Sequence, residues 1–272
     1  MDMGRFLETE TPHHLMNSTG IAAGLLPRFV ARLDVKGPNV IKGIQFEGLR
    51  VMGDPAQLAE RYYQDGAQEL LFIDSVASLY GRNNLTSLVE QTVKEVFVPL
   101  TVGGGIRSVE NARSLLSAGA DKVALNTPAI ERPELLRELA EEFGSQCVVL
   151  SVQAKKRGAD WEALTEAGRE HSGRDVLEWV EEGTLLGAGE VLLTSVDQDG
   201  TGMGFDIELV KAIMDVSKIP VVAGGGYGTS KHLADLLEVT RPEGVAIGRS
   251  VHRGEETFRA LRQHLAKWGA GT

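Results

Sequence analysis

Two glycine triplets, each following a run of apolar residues, are the first candidates for chemistry in this 272-residue chain. Pro99-Leu-Thr-Val-Gly-Gly-Gly105 recurs 121 residues later as Pro220-Val-Val-Ala-Gly-Gly-Gly226, and Val123-Ala-Leu125 recurs as Val245-Ala-Ile247. Glycine allows tight turns whose bare N–H groups can bind an anion. One triplet alone could simply turn the chain. Two at matching positions predict a pair of phosphate sites and an internal duplication.

Polar residues that follow the same apolar runs complete the two predicted sites. The expected ligands of the first site are Gly104, Gly105, Asn126 and Thr127. Those of the second site are Thr194, Asp199, Gly200, Gly225, Gly226, Arg249 and Ser250. Backbone N–H groups and short hydroxyl side chains are common phosphate ligands. The pair predicts a small-molecule substrate with a phosphate at each end.

Asp34 is the strongest candidate for proton transfer. It ends the first apolar run, and Lys42 follows in what we expect to be the next loop. A carboxylate beside an ammonium group stays ionised and can act as a base, although a turn or helix-cap role is the alternative. The repeat places Gln153 at the matching position, and an amide cannot transfer a proton at neutral pH. A symmetric mechanism with two carboxylates is therefore not available from this pair.

Other titratable residues give no metal-ligand spacing, so neither a metal nor a cofactor is expected. Asp74 and Asp197 remain as acids near the predicted site, and His171 and His252 are expected to be structural or solvent-facing. Cys147 lies in an apolar run, where a buried hydrophobic role is expected. As the single cysteine, it excludes a disulfide framework.

Four charged residues begin apolar runs at the end opposite the glycine loops: Arg28, Glu69, Lys122 and Glu190. If they point inward, two positive and two negative charges form a ring, because desolvated charges are costly unless paired. The alternative is that they lie outward in solvent. We expect a four-residue salt-bridge gate at the bottom of the fold.

These residues need a scaffold, and the apolar runs describe one. Eight runs alternate with amphipathic segments: Arg28–Leu33, Glu69–Asp74, Val98–Val102, Lys122–Asn126, Cys147–Val152, Glu190–Ser195, Pro220–Ala223 and Gly244–Ile247. Helices are expected at Pro55–Asp65, Val109–Ala118 and Asp206–Val216. An open doubly wound sheet would carry its glycine-rich turn after the first strand. The pattern instead predicts a closed (β/α)8 TIM barrel of two half-barrels, with both glycine loops at one rim.

Composition is consistent with one such domain over residues 27–272, preceded by an extension over residues 1–26. Hydrophobic residues make up 42%, the formal net charge is −10 and the pI is about 5.2. This charge argues against nucleic acid or an anionic membrane as a partner. The sequence has no apolar stretch of about 18 residues and no signal-peptide pattern, so a cytoplasmic protein is expected.

The motifs also carry a family resemblance, which covers about residues 27–268. They are Leu33-Asp-Val-Lys36, Val40-Ile-Lys-Gly43, Phe46-Glu-Gly-Leu-Arg50 with Gly53-Asp-Pro55, Val102-Gly-Gly-Gly-Ile106, Ala120-Asp-Lys-Val123, Leu192-Leu-Thr-Ser195 and Asp197-Gln-Asp-Gly-Thr201. The chain resembles the cyclase subunit of imidazole glycerol phosphate synthase, an enzyme of histidine biosynthesis.

The resemblance implies a heterodimer with a glutaminase subunit docked at the barrel bottom, whose ammonia passes the gate and the barrel interior. The implied substrate is a ribulosyl-aminoimidazole carboxamide nucleotide with two phosphates. It is converted to imidazole glycerol phosphate and aminoimidazole carboxamide ribotide. In this reading Asp34 matches the family's acid–base aspartate and Lys42 its loop lysine.

Three departures keep other functions open. Gln153 stands where the family has its second catalytic aspartate, and Arg249 where it usually has a small residue. The run Ala77-Ser-Leu-Tyr-Gly-Arg-Asn-Asn84 resembles a divergent branch that works with amidotransferases on surface-polysaccharide sugars. The alternatives are thus an ammonia-channelling barrel for a sugar amidotransferase and a non-catalytic activator of a glutaminase.

Overall fold

A computed structural model describes residues 26–75 and 85–270, with side chains to residue 266. The expected extension, apart from Leu26, and the Ala77–Asn84 run lie outside these ranges. Eight parallel strands form the barrel: β1 (Arg28–Lys36), β4 (Glu69–Asp74), β5 (Leu100–Gly103), β6 (Lys122–Leu125), β7 (Val148–Arg157), β10 (Glu190–Ser195), β11 (Val221–Gly224) and β12 (Gly244–Ile247). Each pairs with the next, and β12 pairs with β1. The predicted (β/α)8 barrel is confirmed.

Ten helices of the described residues surround this barrel. They are α1 (Pro55–Gln64), α2 (Thr86–Thr92), α3 (Val109–Ser117), α4 (Thr127–Glu131), α5 (Glu134–Phe143), α6 (Val176–Leu185), α7 (Ile207–Val216), α8 (Ser230–Val239), α9 (Arg249–His252) and α10 (Phe258–Ala270). Short polar side chains begin several of them; Asp54 accepts from Gln57 N at 2.9 Å and Asp206 from Leu209 N at 3.1 Å. Such caps satisfy otherwise unpaired N–H groups. No described helix is long and apolar enough to cross a membrane.

Hydrophobic residues on the outward faces of the strands pack against the helices as the main core. A second, smaller cluster lies inside the barrel because alternate side chains of each strand point inward. We call it the apolar collar: Val30, Leu71, Ala124, Val149, Leu192, Val222 and Ala246. The collar lies two residues beyond the charged strand starts, at the second inward level of the barrel.

Two antiparallel meanders at the rim were not expected from the sequence. β1 continues to Lys36 and turns into β2 (Asn39–Ile44) and β3 (Glu47–Gly53); β7 continues to Arg157 and turns into β8 (Asp160–Thr165) and β9 (Glu170–Asp175). Both first turns contain a glycine with positive φ, Gly37 at 56° and Gly158 at 65°. The meanders therefore belong to the duplicated unit.

Two local predictions are wrong as a result of chain geometry. Lys42 lies on β2 and not in a loop, because the turn at Gly37 returns the chain as a paired strand. Cys147 is only half-buried and ends a short 3-10 turn, Ser145–Cys147, since β7 begins one residue later.

Candidate functional site

The four charged strand starts form the predicted ring at the bottom of the barrel. Lys122 Nζ lies 3.1 Å from Glu69 and 2.5 Å from Glu190, while Arg28 lies 2.7 Å from Glu69 and also pairs with Glu190. Burial would lower the pKa of Arg28, but Glu190 and Glu69 outweigh it and the pKa is raised. The alternative of outward, unpaired charges is wrong. Each cation contacts both anions, so the ring closes this end.

A second buried charge cluster surrounds Asp34 at the opposite end. Arg32 Nε donates to Asp34 Oδ1 at 2.8 Å, and Lys42 Nζ donates to Asp34 Oδ2 at 2.9 Å. Lys42 also donates to both carboxylate oxygens of Asp199 at 3.0 Å. The cluster holds two cations and two anions, which is the pairing that buried charges require.

This pairing sets the protonation state of Asp34. Burial would raise the pKa of the Asp34 carboxyl, but Arg32 and Lys42 hold it well below its usual range. Burial likewise opposes charge on Lys42, yet Asp199 and Asp34 raise its pKa. Asp34 is therefore an ionised carboxylate with both oxygens engaged. It can accept a proton once a ligand displaces one of its cationic partners.

Arg32 is the functional candidate that sequence reasoning missed. It is 4% exposed, and its Nη1 donates to Thr194 Oγ1 across the barrel at 2.8 Å. Phe46 covers the cluster, with its ring centroid 5.7 Å from the Arg32 guanidinium and 6.0 Å from Lys42 Nζ. The sequence holds one signal for it. Arg32 lies two residues beyond Val30 and four beyond Arg28, so its side chain points into the barrel as theirs do.

The first predicted phosphate site opens into a pocket at the rim. Gly104 and Gly105 have φ values of 98° and 72°, and a Cβ on Gly104 would lie 2.5 Å from Asp74 O. Glycine is therefore required at position 104, and the turn presents backbone without side chains to the pocket. The pocket wall includes these glycines with Asp74, Asn126, Thr127, Ser151, Gln153, Arg32 and Phe46. The structure brings together all four predicted residues of the first site.

Gln153 lines this pocket. It is 7% exposed, and its buried Oε1 accepts no hydrogen bond within the described residues. The buried Oδ1 of Asn126 is also unpaired, whereas its Nδ2 donates to Leu164 O at 3.0 Å. Two unpaired amide oxygens thus line one pocket, although buried polar groups are usually bonded.

The predicted second site is more tightly packed. Gly225 and Gly226 also have positive φ, and a Cβ on Gly226 would lie 1.8 Å from Gly204 O. Arg249 pairs with Glu255 at 2.8 Å, and its guanidinium lies against Gly202. Ser250 is fully buried, and its hydroxyl has no partner in the described part of the chain.

Three residues expected at the second site have other contacts. The Asp199 carboxylate faces Lys42, Gly200 packs on Gly43 O of β2, and the Thr194 hydroxyl is held inside the barrel by Arg32. The loop after β10 therefore joins the Asp34 cluster to the second glycine loop.

The two histidines have the structural or surface positions expected of them. His252 Nδ1 lies 2.6 Å from the Tyr62 hydroxyl, and burial, followed by the charge of Lys42, lowers its pKa to about 4. His171 is exposed and lies 2.9 Å from Glu162. Asp197 accepts from Lys156 N at 2.8 Å and so ties the loop after β10 to the second meander.

The fold and site define a class: a (β/α)8 barrel of two similar halves, with glycine-lined loops at one rim and a charge ring at the other. The family model described as "Histidine biosynthesis protein" matches residues 28–257. The chain is 57% identical over 202 residues to imidazole glycerol phosphate synthase subunit HisF of Legionella pneumophila, which covers 74% of this chain and 95% of the relative.

Two further relatives carry the same description. The subunit from Pyrococcus furiosus is 46% identical over 246 residues, covering 90% of this chain and 97% of the relative. That from Streptococcus sanguinis is 45% identical over 243 residues, covering 88% and 96%. The chain therefore belongs to the HisF family of histidine-biosynthesis barrels, as its sequence motifs predicted.

Proposed function

We propose that the chain is the ammonia-using cyclase subunit of a glutamine amidotransferase of the imidazole glycerol phosphate synthase type. The observation that carries this proposal is the layered barrel interior. A charge ring at the strand starts is followed by an apolar collar, and the collar borders the first phosphate pocket at Ala124. The substrate is a ribulosyl-aminoimidazole carboxamide bisphosphate, and the products are imidazole glycerol phosphate and aminoimidazole carboxamide ribotide.

The route begins at the ring. A glutaminase subunit docks over the strand starts and releases ammonia there. Movement of Lys122 or Arg28 away from Glu69 and Glu190 opens the ring. The collar beyond it offers no hydrogen bonds, so it admits neutral ammonia far better than the ammonium ion, whose desolvation is very costly. The nitrogen therefore reaches the top of the barrel as a nucleophile.

At the rim, the two glycine loops hold the two phosphates and so place the sugar chain across Asp34. The first phosphate binds at Gly104, Gly105, Asn126 and Thr127, and the second at Gly225, Gly226 and Ser250 with Arg249 beside it. Substrate binding frees one oxygen of Asp34 from Lys42 or Arg32, and this carboxylate then transfers protons during cleavage and cyclisation. Holding reacting groups in this way is a large part of catalysis.

A second candidate is an ammonia-supplying barrel whose nitrogen is used in sugar amidation for surface polysaccharide. Gln153 favours it, because the position opposite Asp34 in the repeat offers no second proton-transfer group. The packed second site with Arg249 also favours an acceptor other than the bisphosphate.

The test is a direct assay of the purified chain. The ribulosyl nucleotide is supplied with excess ammonium at alkaline pH, and loss of its absorbance is followed for the parent and for Asp34→Asn. We expect turnover by the parent that the variant lacks. No turnover, with bisphosphate binding intact by calorimetry, would overturn the cyclase proposal in favour of sugar amidation. Absence of both turnover and binding would contradict the assignment of the two phosphate sites to this rim.

A further inference from the structure

We infer that Gln153 receives ammonia where the barrel interior meets the first-half pocket, and that its carboxamide oxygen binds the molecule as neutral NH3. This inference rests on the ammonia route proposed above. It gives a function to a buried side chain that proton transfer leaves unused.

The collar and the first-half pocket meet on one side of the barrel. Ala124 belongs to the collar and also lines the pocket, and Ile73 packs on the collar and lines the same pocket. Near Val30 and Leu192 of the collar, Arg32 reaches from β1 to Thr194 on β10 at the next inward level. A small molecule that crosses the collar therefore leaves it beside Ala124, under the first glycine loop.

The pocket at this exit has two unsatisfied acceptors. The amide oxygens of Gln153 and Asn126 are buried and accept no hydrogen bond from the described residues. An unpaired buried polar group costs on the order of 1–3 kcal/mol. A ligand that brings N–H donors relieves that cost, and ammonia brings three donors in a molecule small enough to cross the collar.

The neutral side chain at position 153 favours ammonia over ammonium. Gln153 is neutral, and the two charged side chains that line the pocket, Arg32 and Asp74, are of opposite sign. A carboxylate at position 153 would favour the charged form, because an opposite charge stabilises it. The amide oxygen accepts an N–H of ammonia without taking a proton, and the nitrogen lone pair stays available for the acceptor molecule.

The experiment uses the chain alone, so it requires neither acceptor nor glutaminase. Thermal unfolding is measured in ammonium chloride and in potassium chloride of equal ionic strength, at an alkaline pH where much of the ammonium is NH3. The variants are Gln153→Met, Gln153→Leu as a second apolar replacement, and Gln146→Met as a matched control at an exposed glutamine.

We expect ammonia to raise the Tm of the parent and of Gln146→Met by about 2 °C over the potassium control, the size of shift given by a ligand near tenfold its Kd. The gain disappears in Gln153→Met and Gln153→Leu, and in all variants at acidic pH, where ammonium replaces ammonia. An equal gain in parent and position-153 variants, or no gain in the parent, would overturn the inference.

A kinetic readout separates ammonia binding from a general packing role. Where the parent turns over an acceptor with ammonium salts, Gln153→Met raises the KM for ammonium by roughly tenfold, about 1.4 kcal/mol, and leaves the KM for the acceptor unchanged. A parallel rise in both KM values would contradict the assignment. Because the Tm shift needs no turnover, failure of the cyclase proposal and failure of this inference are distinguishable.

Discussion

The two halves of the barrel share a scaffold but differ in the chemistry they hold. Each half has a long first strand, a rim meander opened by a glycine turn, and a glycine triplet two barrel strands after the first. In the first half Asp34 is bound by two cations; at the matching position of the second half the buried Oε1 of Gln153 accepts no hydrogen bond from the described residues. Duplication has preserved what shapes the backbone, while inward side chains have diverged.

The rim loops show the same contrast. The first glycine loop opens on a pocket, whereas the second is packed on the loop after β10 and lies close to Arg249. The difference suggests that the first half handles nitrogen and its acceptor, and the second half anchors the far end of the substrate. The predictions below test this division.

The largest effect is expected when the two matching positions are changed in parallel. Asp34→Asn removes the carboxylate that transfers protons, so we expect turnover to fall by about 10²–10⁴-fold. Stability should fall by about 3–5 kcal/mol, because breaking a buried pair leaves charge uncompensated. Gln153→Met should cost less than about 1 kcal/mol, since it removes an unpaired amide. Urea unfolding measures both; similar losses would show that the halves do not differ in this way.

The charge ring gives the next prediction. In complex with the glutaminase, Lys122→Met should lower product formed from glutamine by roughly tenfold, a barrier change of about 1.4 kcal/mol. Turnover with free ammonium should stay unchanged, because that ammonia can enter from the rim. Equal losses with both nitrogen sources would remove Lys122 from the route.

The shared scaffold is tested by glycine substitutions. Gly104→Ala and Gly225→Ala each place a Cβ under 3.0 Å from a backbone oxygen at a positive φ. We expect both to destabilise by about 1–3 kcal/mol and within about 1 kcal/mol of each other. Gly37→Ala meets no atom within 4 Å and should cost only about 1 kcal/mol. If Gly104→Ala is destabilising and Gly225→Ala is tolerated, the two glycine loops are alike in sequence but not in structure.

A pH dependence that is absent at neutral pH separates His252 from Asp34. The pKa of His252 is lowered to about 4 in the fold, so the unfolded chain binds its proton more readily. Stability on the order of 1–3 kcal/mol is present above the unfolded pKa of about 6.5 and is lost as pH falls towards 4. The pKa of Asp34 is also lowered in the fold, so its contribution to stability is lost only below about pH 4, where an unfolded aspartate protonates. Chemical unfolding of parent and His252→Gln at stepped pH measures this; the same slope between pH 6.5 and 4 in both would contradict it.

Much of this architecture could be predicted from the sequence because parallel barrel strands are buried on both faces. Such strands read as short apolar runs, and a charge at the start of four of them indicates a ring at one end. The glycine loops were found because the duplication repeats them. The meanders were missed because β3 and β9 lie largely exposed on the rim, so neither forms a buried apolar run like those of the barrel strands.

The Asp34 cluster could be predicted only in part for a different reason. Arg32 and Thr194 are 162 residues apart, and no local pattern reports their contact. Arg32 finds Asp34 on its own strand, but its contact with Thr194 exists only in the closed barrel. Asp199 is expected at a phosphate because its loop, after the sixth barrel strand, could close over the second glycine loop, but its carboxylate pairs with Lys42 from the other half.

The central claim is that nitrogen travels through the barrel from the ring to the first-half pocket. Its most direct test is an isotope competition in the complex, with glutamine labelled with ¹⁵N in its amide and excess unlabelled ammonium in solution. We predict that the product nitrogen is mostly ¹⁵N with the parent and shifts to the unlabelled isotope with Lys122→Met. Product that carries the isotope of the bulk ammonium in the parent would contradict the account.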